Sequence, residues 1–374
     1  MLAWATVIVL AQTNAQPAET ALTLRPLFNG ENLQGWSSLQ GSSSPWTVRD
    51  RMIVCSGKPA GVLRTERQYE NFVLELEWQR VEPGGSAGLF VWSDALPAIG
   101  QPFPRAIEVQ MTDAADAATD LRHGDVLSIR GAHMTPDRPS ASGGERCVAS
   151  EARGKPAGEW NQYRVTCKDG TLKLECNGKE VAGGYNMSPR KGYISLGSDG
   201  AAINFRNLRC AELPAKTKLK QEQVAEHDHG FQPLLNGTDL GGWQRAASDA
   251  PHWTVNGLVL VNDGGGGTLW TEAEYQDFEL ILDWHWAGDT ARHDLPLLLV
   301  RGGAAPTRDV VGDAVARGWN RLSIAMAGDA CTIQLNGVTV LDRVLLPGVA
   351  ARGRIGIKPL ATGARFTNLL VRAR

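Results

Sequence analysis

The chain has 374 residues, a length that accommodates two or three domains, each with its own core. Lys and Arg total 38 against 40 Asp and Glu, a formal net charge of −2, which excludes nucleic-acid or anionic-membrane binding driven by a global positive field. Hydrophobic residues at 43% exclude extensive disorder, and 42 Gly without a triplet period point to tight turns between short strands.

Met1 to Ala15 contains the apolar run LAWATVIVLA followed by small and polar residues, the pattern of a secretory leader cleaved near Ala15, although no Lys or Arg precedes the run. The chain is therefore expected to be exported, to the periplasm or beyond the cell. No later stretch approaches the roughly 18 uninterrupted apolar residues of a transmembrane helix, so none is expected in the mature chain. LFNGENLQGW (27–36) and WTV (46–48) come next, then NFVLELEW (71–78), where Phe72, Leu74, Leu76 and Trp78 alternate with charged residues as in a half-buried antiparallel strand. SAGLFVW (86–92) follows. In AIEVQMTD (106–113), Ile107, Val109 and Met111 form an apolar face, while Glu108 and Gln110 stand about 7 Å apart on the other. Asp113 ends that strand. LRHGDVLSIRGAHM (121–134) crowds His123, Asp125 and Arg130 around a Gly. The hairpin from Trp160 turns at Asp169-Gly170, so Cys167 should oppose Leu172, Cys176 should oppose Tyr163, and Arg164 should pair with Glu175. The six cysteines are too scattered for a disulfide scaffold or a zinc motif, and most of them read as small core residues.

Beyond a polar segment at 214–228, expected as a linker or short helix, the early motifs return. LLNGTDLGGW (234–243), Trp253-Thr254-Val255, DFELILDW (277–284), WNRLSI (319–324) and FTNLLV (366–371) repeat LFNGENLQGW, Trp46-Thr47-Val48, NFVLELEW, WNQYRV and FRNLRC. The expectation is an all-β chain of two jelly-roll sandwiches in tandem, residues 22–213 and 229–374. Trp78 to Trp160 spans 82 residues, but Trp284 to Trp319 spans only 35. A sandwich closes without the segment holding EVQMTD and the HGD stretch, so these residues are assigned to a site instead of to the scaffold.

Carboxylates, an imidazole and an amide on one concave face could hold sugar hydroxyls and move protons at carbon; the plainer reading is a solvated strand face and a loop histidine. Glu108, Asp113, Asp125 and His123 also leave a divalent metal open, although no ligand spacing is diagnostic. His227-Asp228-His229 reads as a solvated loop. No nucleophile elbow, P-loop or dinucleotide fingerprint is present.

Together, LFNGENLQGW, WTVRDRMIV, NFVLELEW, SAGLFVW, EVQMTD, HGDVLSI, the WN hairpin and RKGYISL resemble the 3-keto-disaccharide hydrolase domain family over nearly all of the first copy. The second copy matches at scaffold motifs alone. The resemblance implies a concanavalin A-like sandwich, export, and action on glycosides oxidised to a ketone at C3. Such a ketone acidifies the C2 hydrogen, so a base can remove it, the anomeric substituent can leave, and water completes net hydrolysis. By this resemblance Glu108 or His123 is the base and Asp113 a further acid, while Gln110, Asp125 and Arg130 contact the substrate. SAGLFVW departs from the usual N-S-G-x-x-x-R, with Trp92 at a common Arg position; Arg301 keeps that Arg in the second copy. A non-catalytic, carbohydrate-binding pair of lectin-like sandwiches is the alternative. Of twelve Trp, eight fall in motifs both copies share and read as scaffold. Trp4 lies in the leader, and of Trp92, Trp270 and Trp286 only Trp92 lies beside the polar cluster as a candidate sugar platform.

Overall fold

The computed structural model describes residues 22–38, 44–112, 120–215, 218–286, 295–296, 298–304, 315–359 and 362–374. The expected leader and Asp113 lie outside them. Strands dominate, and the described ones assemble into four antiparallel sheets that pair as two sandwiches. In the first, a nine-stranded sheet centres on Phe72–Arg80, flanked by Asn161–Lys168 and Ile203–Glu212. The facing sheet has seven strands, in the order Arg146–Cys147, Val126–Ile129, Ala106–Gln110, Ser86–Ser93, Tyr193–Asp199, Gly61–Thr65, Trp36–Ser38. The second sandwich pairs an eight-stranded sheet centred on Phe278–Trp286 with a five-stranded one.

Period-two patterning explains which face each strand buries. Phe72, Leu74, Leu76 and Trp78 enter the first core, and Phe278, Leu280, Leu282 and Trp284 the second. The hairpin register is the expected one: Tyr163 pairs with Cys176, Arg164 with Glu175, and Cys167 with Leu172. Leu322 pairs likewise with Leu335, and Ile324 with Ile333. All six cysteines are buried free thiols, and burial pushes Cys55, Cys176 and Cys331 up to about 11 and Cys210 to about 12. Of the eight Trp in the shared motifs, six are core residues. Trp160 is half-buried beneath the Arg206 guanidinium, 3.8 Å above its ring, and Trp319 is half-buried against the first sandwich at Gly100.

The segment after residue 218 is strapped onto the first sandwich. Gln221–Gln223 forms a single 3-10 turn, and Ala225 N–H donates to Lys191 O at 2.7 Å. Glu226 N–H donates to Asp94 Oδ1 at 2.7 Å. Asp228 accepts from Arg64 Nη2 at 2.6 Å and donates its N–H to the Tyr193 hydroxyl. The His-Asp-His stretch thus contributes its Asp to an ion pair. Among the described residues no helix is long and apolar enough to cross a membrane.

Candidate active site

The strand Ala106–Gln110 lies inside the seven-stranded sheet, between Ser86–Ser93 and Val126–Ile129. Its alternation sends Ile107, Val109 and Met111 into the core. Glu108 and Gln110 project from the outer face, where Phe90 is the cross-strand neighbour of Glu108 and Gly88 that of Gln110. Glu108 is 9% exposed and Gln110 2%. Gln110 Nε2 donates to Glu108 Oε1 at 3.1 Å, while the Gln110 side-chain oxygen is buried without a hydrogen-bond partner. The carboxylate lies over Gly88, where a β-carbon would collide with Oε1. Burial pushes the Glu108 carboxyl up from 4.5 to about 7, and the charge of Arg130 pulls against that rise. Arg130 is exposed, in a left-handed turn (φ 55°) after Val126–Ile129.

Glu108 and Gln110 are therefore brought together, with the charge of Arg130 felt at the carboxyl, but the rest of the expected cluster is dispersed. His123 turns toward the opposite sheet, with ring centroids 5.0 Å from Trp78 and 5.5 Å from Tyr163, and Nε2 3.3 Å from Cys176 Sγ. Desolvation there pushes the imidazole down to about 4, so it is neutral at physiological pH. Asp125 is not a substrate contact: it is fully buried and ion-paired to Arg146 at 2.6 Å. It also accepts the backbone N–H groups of Arg122 and Ala149. The HGD turn is thus an internal fastening. The metal set is split with it, and among the described residues no three His, Cys, Asp or Glu side chains converge as metal ligands.

Trp92 is also corrected, since it is 0% exposed and cannot stack on a sugar. Strict alternation would place it beside Phe90 on the outer face. It instead adopts φ 53° in a bulge where the register against Tyr193–Asp199 shifts, and the ring swings into the core. Its Nε1 donates to Glu70 O at 2.8 Å, at the start of the central strand. Arg301, at φ 51°, reaches Asp277 Oδ1 at 2.8 Å and Gly328 O at 2.6 Å. Arg301 sits in the two-residue turn between Leu298–Val300 and Gly303–Ala304 and not in a bulge, but both side chains tie their segment to the beginning of the neighbouring sheet's central strand, at Glu70 and Asp277.

One aromatic neighbour of the Glu108 face escapes the alternation argument. Residues 94–105 form an arm closed at its base by Arg105, which donates to Asp94 at 2.9 and 3.0 Å. Pro97 and Pro104 bridge, and Ala98 N–H donates to Phe103 O at 3.0 Å. Phe103 lies edge-on to Phe90, centroids 5.4 Å apart, and Phe90 is the cross-strand partner of Glu108. The signal for this arm in the sequence is its Pro spacing, LPAIGQPFPR, between two strands.

The profile of the 3-keto-alpha-glucoside-1,2-lyase-like domain matches residues 23–211 and 230–294. A 3-keto-disaccharide hydrolase of Bacteroides thetaiotaomicron is 26% identical over 173 residues, 41% of this chain and 56% of that protein; the chain thus spans about half the length of this curated relative. Among solved structures, a protein of Parabacteroides distasonis with a provisional glycosyl hydrolase description is 21% identical, covering 51% of this chain and 94% of its own, with a TM-score of 0.40. A carbohydrate-binding module from Bacillus subtilis is 14% identical, covering 48% and 96%, with a TM-score of 0.33.

Proposed function

Because the chain belongs to the 3-keto-alpha-glucoside-1,2-lyase-like family, we propose that its first sandwich acts on 3-keto-glycosides, with the outer face around Glu108 as the place of reaction. One observation carries this reading: a desolvated carboxylate lies beside a buried amide whose oxygen lacks a partner. Such an acceptor fits a sugar hydroxyl. Glu108 takes the C2 proton, for which a carboxyl ionising near 7 is a matched base at neutral pH. The electron pair moves to the C3 oxygen, where the Arg130 charge and the Gln110 N–H group are the available stabilisers. Cleavage of the C1–O bond then expels the aglycone with a proton, and water adding to the resulting enone completes net hydrolysis; release before that addition is the lyase outcome. The leader at 1–15 makes export part of the same reading, checked by fractionating cells that express the full chain.

The second reading, a carbohydrate-binding pair without turnover, is favoured by the orientation of His123 and Asp125, which point away from this face. Turnover of a 3-keto-glucoside by the wild type and by Glu108→Gln decides between them. Loss of about 100-fold or more in kcat/KM is expected for the variant. Wild-type binding without turnover establishes the second reading, and an unchanged rate in Glu108→Gln removes Glu108 as the base.

A further inference from the structure

The tip of the 94–105 arm rests on the second sandwich. Gly100 N–H donates to Asp283 Oδ2 at 2.8 Å, and Arg321 Nη2 donates to Pro97 O at 2.8 Å. Asn368 Nδ2 donates to Ala98 O at 3.1 Å, Gln101 O at 3.2 Å and Asp283 Oδ2 at 2.6 Å. Asp283 is fully buried and receives Arg321 Nε at 2.7 Å. Gly100, at φ 67°, packs so closely on Trp319 that a β-carbon would overlap the ring. Behind the tip, Leu96 joins Phe231, Ile281 and Leu370 in a small buried cluster.

The corresponding position of the first sandwich shows how this seat arises. There Glu77 accepts from Arg206 and Asn207, and Glu75 is ion-paired with Arg209, on a half-exposed sheet face. In the second sandwich Asp283 and Asn368 form the same kind of pair, but outward-facing Ile281 stands where a charged residue would keep the face in water. The face has become a socket. Its contents are the far end of an arm whose Phe103 packs on Phe90, the cross-strand neighbour of Glu108.

We propose that Phe103 is a specificity-determining contact for the sugar bound at the Glu108 face, and that Asp283, Arg321 and Asn368 of the second sandwich are its positioning residues. An aromatic ring suits the apolar C–H face of a pyranose, and an arm held at both ends presents that ring without an ordering cost on binding. The inference rests on the functional reading above. It gives the second sandwich a role in the first one's binding step, with no group of its own in the chemistry.

The test uses the full chain as wild type, Phe103→Ala, Asn368→Gly and Asp283→Ala, read by steady-state kinetics on a 3-keto-glucoside and by amide hydrogen exchange. Asn368→Gly keeps the left-handed backbone (φ 49°) and removes only the amide; it serves if Asp283→Ala, which strands Arg321, does not fold. Faster exchange at Ala98–Gln101 is expected in the two socket variants, with exchange in Ala106–Gln110 unchanged. KM should rise about tenfold in all three, with kcat within about twofold. Unaltered exchange at the tip overturns the positioning role. Faster exchange with KM unmoved, or an unmoved KM in Phe103→Ala, overturns the role in substrate binding. A wild type that neither binds nor turns over 3-keto-glucosides overturns the functional reading and this inference with it, a result seen before any variant is made.

Discussion

A carboxyl enclosed on the outer face beside Gln110 loses hydration, which moves its ionisation from 4.5 to about 7. The native state then keeps this proton to higher pH than the unfolded chain, so stability falls as pH rises from about 4.5 through about 7. At pH 8 the cost is roughly 3 kcal/mol. Glu108→Gln is therefore expected to be more stable than wild type at pH 8 and nearly equal to it at pH 4, measured by urea unfolding, while the wild type's kcat/KM shows an acid limb centred near 7. His123 works in the opposite direction. Its imidazole is neutral in the fold down to about 4, but the unfolded chain takes up a proton below about 6.5. Stability is thus lost as pH falls through that window. His123→Phe, which retains a ring against Trp78 and Tyr163, should flatten the loss with little change in KM. Asp125→Asn leaves the buried Arg146 guanidinium facing a neutral amide in place of the carboxylate at 2.6 Å, with Asp120 at 3.9 Å as its remaining ion pair, and should cost about 3 kcal/mol of stability, visible as a lowered Tm. A polar triplet such as HGD reads in sequence as a site, because sequence gives composition and spacing but not the Arg146 partner 21 residues away.

At the scale of strands, the face carrying Glu108 and Gln110 was legible, because Ile107, Val109 and Met111 leave one direction for the polar side chains. Trp92 was not legible. A single left-handed residue reverses the parity of everything after it, and no side chain in SAGLFVW announces the bulge. Trp92→Phe should cost about 1 kcal/mol through loss of the bond to Glu70 O, with KM unaffected; a changed KM would return that ring to the binding face. The abundance of Gly in the chain points to turns, yet Gly88 lies on an extended strand, where it leaves room for the Glu108 carboxylate. Gly88→Ala removes no functional group, yet is expected to displace that carboxylate and lower kcat/KM by about tenfold or more.

For the whole molecule, motif recurrence outlined two sandwiches, but nothing in it showed that they dock. Docking depends on Ile281, which breaks the charged series on an outward face, and on the arm at 94–105, which belongs to the segment the second copy lacks. Each is a short local departure, and its partner lies in the other half of the chain. Ile281→Glu places a charge in the cluster with Leu96, Phe231 and Leu370. Calorimetry should then show two separated unfolding transitions where the wild type shows closer coupling. The cysteine distribution supplies a means of telling which half opens: five thiols lie between Cys55 and Cys210 and one, Cys331, beyond them, all buried and free. An alkylating reagent counted by mass would add up to five tags when the first sandwich opens and one when the second does, so the chain carries its own unfolding reporter, and no engineered label is needed.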